Sequence, residues 1–230
     1  MPKPSHILYL HGLGGSPRSS KGVLIRERFL RHGLGSTLPD LNIPSLARLS
    51  PTAIVAHVQK TISSLRDHQI ALVGSSFGAF VGLHALAGLS SEERSSVVAA
   101  AFLAPVFEPR DPRSALLRPE SEAVWRREGT LPLLDLSSDQ MVPVHYRFVE
   151  ELAGFDSGAV DLDLPMLVVH GIRDTIVSVD QSRRFAEQNR SVRLETLDDD
   201  HRLLGDSERL LALVEDFLLQ SAPENPKTGS

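Results

Sequence analysis

The sequence predicts an α/β fold, a mostly parallel sheet with helices on both faces. Short apolar runs alternate with amphipathic stretches along nearly the whole chain. Two of those runs, Ile70 to Val73 and Val97 to Leu103, are continuously apolar, as strands buried on both faces must be. The length of 230 residues, with no low-complexity linker, suits one large core, so a single domain over residues 1–220 is expected.

The elements follow in order. Ile7 to Leu10 reads as a strand. From Pro17 to Leu30 the spacing of Val23, Leu24, Ile25, Phe29 and Leu30 is helical, and Gly33 and Gly35 stop it. A short extended piece spans Thr37 to Ile43. Ser50-Pro51 supplies a cap and a first-turn proline, after which Ile54, Val55, Val58, Ile62 and Leu65 share one helical face. The strand Ile70 to Val73 leads through a sharp turn into a helix from Ala79 to Leu86. Ser90-Ser91-Glu92-Glu93 caps a short helix, and Pro105 ends the strand Val97 to Leu103.

Residues 107–163 break the alternation. Pro109, Pro112 and Pro119 punctuate a charged stretch that still holds Leu116, Leu117, Val124, Trp125, Leu131, Leu133 and Leu134. This predicts a helical insertion lying over the sheet and ending in a helix near Val144 to Leu152. Alternation resumes with strand Met166 to Val169, helix Val179 to Glu187 and strand Val192 to Leu197. A final helix carries Leu210, Leu211, Val214, Phe217 and Leu218 on one face. Residues 221–230 have no apolar periodicity and two prolines, and read as a disordered tail.

Composition narrows the function classes. Net charge is −5 and basic residues are interspersed with acidic ones, which argues against nucleic acid or an anionic membrane as partner. There are no cysteines, hence no disulfides, thiolate metal sites or thiol chemistry. The N-terminal segment leads into only four apolar residues, too few for a signal sequence, and no stretch is long enough to span a membrane. A cytoplasmic monomer or homodimer acting on a small molecule is the expectation.

The chemistry centres on Gly74-Ser75-Ser76-Phe77-Gly78, between strand and helix. Glycines on both sides let backbone crowd around Ser76 and thrust its hydroxyl outward, the geometry of a nucleophile. Ser75 lacks that glycine spacing, and a plain turn with Ser76 capping the helix is the alternative. A serine nucleophile needs a base, and the base an orienting carboxylate. Asp174 follows the strand Met166 to Val169, and His201 lies between the strand ending at Leu197 and the last helix, so all three sit at carboxyl ends of strands. Asp174 could instead close an Asx turn, with Asp139 as the rival acid. Asp198, Asp199 and Asp200 read as a solvated run without a metal role.

Arg18, Lys21, Arg26, Arg28 and Arg31 read as a solvated helix face, with recognition of a substrate anion as the alternative. Phosphate-loop and dinucleotide motifs are excluded: Lys21 is followed by Gly22 rather than Ser or Thr, and Pro17 stands where a third glycine would be needed after Gly12-Leu13-Gly14.

Four motifs in order, Leu10-His11-Gly12-Leu13-Gly14-Gly15, the Ser76 turn, His170-Gly171 with Asp174, and Asp200-His201, resemble those of the α/β-hydrolases, and the smaller esterase-like members in particular. The resemblance covers Ile7 to Phe217. It implies a catalytic Ser76, Asp174 and His201, an oxyanion hole made by the Leu13 and Phe77 amides, and supporting roles for His11, Gly12, Gly74 and Gly78, with His170 also structural. Ala79 stands where many relatives have a third small glycine. It further implies a short cap, in which Trp125 with Leu116, Leu117, Leu131 and Leu133 forms the cap's core or lines an acyl pocket. The activity implied is cleavage of small carboxylic esters through an acyl-enzyme, without cofactor or metal. Thioester hydrolysis and acyl transfer use the same machinery, and a non-catalytic binding protein on this fold is the other class.

Overall fold

Four strands are buried at every position and form the middle of the sheet: β1 (His6–Leu10), β3 (Ile70–Ser75), β4 (Val97–Leu103) and β7 (Met166–Gly171). The edges are β2 (Gly35–Thr37) and β8 (Val192–Leu197), and all five pairings are parallel. The computed structural model describes residues 2–111, 113 and 117–219. Leu116 and the 221–230 tail therefore lie outside the described residues.

Because successive side chains of a strand point to opposite faces, the sheet divides the core in two. Leu8, Leu10, Leu72, Phe102 and Val168 face one layer, with α2 (Pro51–Ser64), α3 (Phe77–Ala87) and α7 (Val179–Gln188) packed against it. Ile7, Tyr9, Val73, Leu103 and Val169 face the other, covered by α1 (Ser20–Leu30) and α8 (Ser207–Leu219). Helix α3 is buried from Phe77 to Leu86, which is why its sequence is apolar all round rather than amphipathic. A short α4 (Ser91–Arg94) opens on a capping box between Ser90 and Glu93.

The sheet order is β2-β1-β3-β4-β7-β8. From β1 the chain steps outward to β2, then crosses back to β3 on the other side of β1, so the connections leaving β1 and β3 diverge at their carboxyl ends. A crevice opens at such a switch point, where parallel sheets bind their ligands.

The structure departs from the sequence reading in two places. The expected extended piece at Thr37 to Ile43 begins earlier, with β2 at Gly35–Thr37 and irregular chain beyond. The insertion is only partly helical: α5 (Pro119–Glu128) and α6 (Arg147–Leu152) flank an antiparallel hairpin of β5 (Thr130–Asp135) and β6 (Gln140–His145), so Val144 belongs to a strand and not to the following helix. Each strand of the hairpin contains a proline, the feature that hid it. Pro132 pairs with Pro143, which confines the missing backbone donors to one rung of the ladder.

The insertion is welded to the main core. Trp125 is 1% exposed, its Nε1 donates to the Val144 carbonyl at 2.6 Å, and its ring stacks on Phe148 with centroids 6.0 Å apart. Phe148 in turn meets Phe77 of α3, at 5.4 Å between ring centroids. Trp125 and Leu117 are thus core residues, with Leu131 and Leu133 packed partly buried against them.

This packing predicts that insertion and sheet unfold together. Trp125→Ala should lower stability by about 3–5 kcal/mol, the usual cost of truncating a buried aromatic. Urea titrations followed by circular dichroism should still show one transition; a separate early transition would mean that the insertion is an independent unit.

Candidate active site

Ser76 has φ 53° and ψ −117°, a strained conformation for a residue with a Cβ. Surrounding bonds hold it there. Its amide donates to Leu103 O at 2.9 Å, and its carbonyl accepts from the amides of Ala79 at 3.0 Å and Val106 at 3.3 Å. A Cβ at Gly74 would sit 2.6 Å from Ala79 Cα, and one at Gly78 would collide with the carbonyl oxygens of Leu10 and His11. The two glycines are therefore required because backbone passes on both sides of the turn.

His201 Nε2 lies 2.9 Å from Ser76 Oγ, and His201 Nδ1 lies 2.6 Å from Asp174 Oδ2. The same carboxylate oxygen faces His170 Nε2 at 3.0 Å, while Asp174 Oδ1 accepts from the amides of Ile176 and Val177, each at 2.8 Å. An ionised carboxylate only accepts, so His201 Nδ1 and His170 Nε2 must both carry hydrogen. That assignment leaves His201 Nε2 as the acceptor facing the serine hydroxyl, and it leaves His170 Nδ1 to accept from Ser182 Oγ at 2.7 Å. The Asp174 side chain has no solvent exposure, and burial by itself would raise its pKa. Hydrogen bonds from His170, His201 and the Val177 amide outweigh that burial and hold the carboxyl well below the usual range.

Ser76 and His201 do not follow neighbouring strands. β8 lies three strand positions from β3, roughly 14 Å at the usual spacing, so His201 must come back across the sheet edge. The segment after β8 does so by folding over the end of β7. Ile172 and Arg173 amides donate to the carbonyls of Leu197 and Asp199 at 2.8 and 3.0 Å. A Cβ at Gly171 would strike the carbonyl oxygens of Asp199 and Asp200, so a residue with no side chain lets the loop cross. Asp199 is not part of a solvated run as expected from sequence: it is 7% exposed and its carboxylate accepts from the Gly205 and Asp200 amides.

The amides of Leu13 and Phe77 flank the serine and have no partner among the described residues. The loop that carries Leu13 is fixed from three sides: Gly15 N donates to Gly12 O at 3.0 Å, Leu136 N donates to Gly14 O at 2.8 Å, and His11 Nδ1 donates to Gly12 O at 2.8 Å. His11 is buried, and burial lowers its pKa. Its Nε2 accepts from the Leu41 amide at 2.9 Å, so this ring braces the loop after β1 and not the serine turn itself.

A cleft of about 340 Å³ opens on Ser76 and His201, with Gly12, Leu13, Leu136, Ile176 and Leu204 in its wall. Only Leu136 represents the insertion: of the two roles expected for the cap residues, core of the cap or lining of an acyl pocket, Trp125, Leu117, Leu131 and Leu133 take the first and do not line this cleft. Asp139 lies in the hairpin turn, with φ 56° and no bond to His201. Among the described residues no three His, Asp or Glu side chains converge as metal ligands, and no helix is long and apolar enough to cross a membrane. Sequence reasoning missed two features. His170 holds the carboxylate directly, a role signalled only by its spacing of four from Asp174. Lys21 is not on a solvated helix face: it lines the cleft beside Ser76, and burial pushes its pKa down to about 8.

Comparison with known proteins places this geometry in a fold family. No curated protein sequence matches the chain. Among solved structures it resembles Est1E of Butyrivibrio proteoclasticus in its ferulic acid complex, at 18% identity over 94% of this chain and 89% of that one, with a TM-score of 0.75. A monoacylglycerol lipase from Paleococcus ferrophilus matches at 15% identity over 95% and 96% of the two chains, TM-score 0.74. The alpha/beta hydrolase domain-containing protein 10 from mouse matches at 19% over 94% and 90%, TM-score 0.71. The model of the Uncharacterised protein family (UPF0227) matches residues 6–219. With its parallel sheet, serine turn and β8–α8 histidine loop, the chain is a member of the UPF0227 family and has the α/β-hydrolase fold.

Proposed function

We propose that this protein is a serine hydrolase that cleaves small carboxylic esters through an acyl-enzyme. The observation that carries the reading is the unbroken series of hydrogen bonds from Asp174 through His201 to Ser76. Two solved structures that share the fold bear the names monoacylglycerol lipase and alpha/beta hydrolase domain-containing protein, which agree with hydrolytic chemistry.

In this mechanism Ser76 Oγ attacks the ester carbonyl while its proton passes to His201 Nε2. The carbonyl π pair becomes an oxyanion, held by the Leu13 and Phe77 amides. Collapse of the tetrahedral intermediate breaks the bond to the leaving oxygen, which takes the proton from His201 and departs as alcohol. Water then repeats the sequence on the acyl-enzyme: His201 accepts its proton, the hydroxide oxygen bonds the acyl carbon, and Ser76 Oγ leaves with the proton returned. Asp174 stays ionised throughout, fixing the tautomer and stabilising the imidazolium.

Ser76→Ala should abolish fluorophosphonate labelling and cut p-nitrophenyl butyrate hydrolysis by about 10⁴-fold or more. Labelling that persists in this variant would remove Ser76 from the reaction. Asp174→Asn should cost about 10⁴-fold in kcat by stabilising the wrong imidazole tautomer. Asp139→Asn should leave kcat near wild type, and the reverse pattern would reassign the acid.

Gly171→Ala should lower kcat on the order of 10²-fold with circular dichroism unchanged, because displacing the His201 loop by an ångström misaligns the base. A wild-type rate would show that the loop crossing tolerates a methyl group.

The Asp174 carboxyl, held below its unfolded value, contributes stability that is complete above about pH 4 and lost as pH falls. The gap in Tm between wild type and Asp174→Asn should therefore narrow on acidification below that point. A gap that widens there would contradict an ionised, bonded Asp174.

A further inference from the structure

Most arginines near the insertion and α7 are matched by carboxylates, as Arg113 and Arg184 are by Asp111. The catalytic cleft is different. Its wall includes Lys21 and Arg202, and a second cleft of about 600 Å³ shares Gly15, Ser19, Ser20, Leu136 and Arg202 with it while adding Arg18. No Asp or Glu lines either space, and none of these three cations is ion-paired among the described residues. In a chain of net charge −5, the Lys, Arg, Asp and Glu side chains lining this groove of two adjoining clefts beside Ser76 are cations alone.

Lys21 is the innermost of the three. Among the described residues its one side-chain hydrogen bond is a long one, 3.5 Å from Nζ to the His201 carbonyl. The carboxylates nearest in charge are Asp174, Asp199 and Asp200. Each is engaged elsewhere: Asp174 by two imidazoles and two amides, Asp199 by the Gly205 and Asp200 amides, Asp200 by the Arg202 amide. The half-buried amine thus has no carboxylate of its own among the described residues. The amino end of α1 adds to the same field, since its N-cap, Ser19, makes no side-chain cap bond and both Ser19 and Ser20 line the groove. Free amides and the helix dipole at that end favour negative charge.

Resting on the esterase reading above, we infer that the substrate is an anionic ester, carrying a carboxylate that seats on Lys21 within the groove shared with Arg202. Lys21 is then a specificity residue. Its ammonium gains a partner only when substrate is bound, and Arg202 and Arg18 draw the anion in from the outer cleft. The lowered pKa of Lys21, about 8, agrees with an amine buried ahead of its counter-ion.

Two matched substrate pairs test this. p-Nitrophenyl hydrogen glutarate against p-nitrophenyl valerate places the charge on the acyl half. The butyrate ester of 3-hydroxypropanoate against propyl butyrate places it on the alcohol half. In one pair wild type should prefer the charged ester in kcat/KM, and Lys21→Gln should lower that preference by about 10- to 100-fold, the value of a charge-assisted hydrogen bond. Lys21→Arg should retain most of it, and Arg202→Gln should lower it less. A merely structural Lys21 would change both members of a pair equally. No preference in either pair, or a preference untouched by Lys21→Gln, overturns the inference. Calorimetry with glutarate on Ser76→Ala, with and without Lys21→Gln, separates the two claims. Lys21-dependent glutarate binding in a protein that hydrolyses no ester would uphold the anion site and sink the esterase reading; ester hydrolysis without Lys21-dependent charge preference would do the opposite.

Discussion

A carboxylate cut off from solvent stays ionised only when donors surround it, and the site is organised around meeting that condition at Asp174. Four donors arrive from three directions: two amides from the loop that follows β7, one imidazole from β7 itself, and one from the loop beyond β8. Each donor fixes something else in turn. His170 ties the carboxylate to Ser182 of α7, so helix packing is felt at the acid. The His201 bond selects the tautomer that leaves Nε2 open toward Ser76. Removing the charge would leave several buried donors unmatched as well as lose the orienting bond.

The second constraint is steric and works through backbone. Ser76 keeps its positive φ because β1, β4 and α3 close on it from every side, and the buried α3 gives the turn nowhere to relax. The same economy of side chains recurs at Gly171, where the His201 loop crosses the end of β7. Strand order alone would leave serine and histidine too far apart. The crossing loop brings them together, so the site depends on a contact between two main chains that no side-chain motif announces.

That distinction explains what could be read from the sequence. Val97 to Leu103 and Val192 to Leu197 match their strands residue for residue: the first is buried on both faces and continuously apolar, and the second, at the sheet edge, alternates apolar Val192 and Leu194 with charged Arg193 and Glu195. Gly74, Ser76 and Gly78 are legible because the turn needs that composition. The hairpin at 130–145 was illegible because Pro132 and Pro143 mimic loop punctuation, and their mutual pairing is a tertiary fact. Asp199 and Lys21 were misread for a related reason. A charged residue looks solvated in sequence unless its partners are known, and Asp199 finds its partners in amides of its own loop. Lys21 lies 180 residues from the carbonyl it approaches.

The charge arrangement bears on catalysis itself. In the proposed mechanism proton transfer turns His201 into a cation, and an ammonium close to its carbonyl works against that change. Asp174 offsets the penalty on one side only. A substrate carboxylate seated on Lys21 would neutralise the amine as the imidazolium forms, so binding of the anion and stabilisation of the transition state reinforce each other. A neutral ester would leave the repulsion in place. On this account Lys21 acts on kcat as well as KM, since the only carboxylate that bonds it directly is the one the substrate brings.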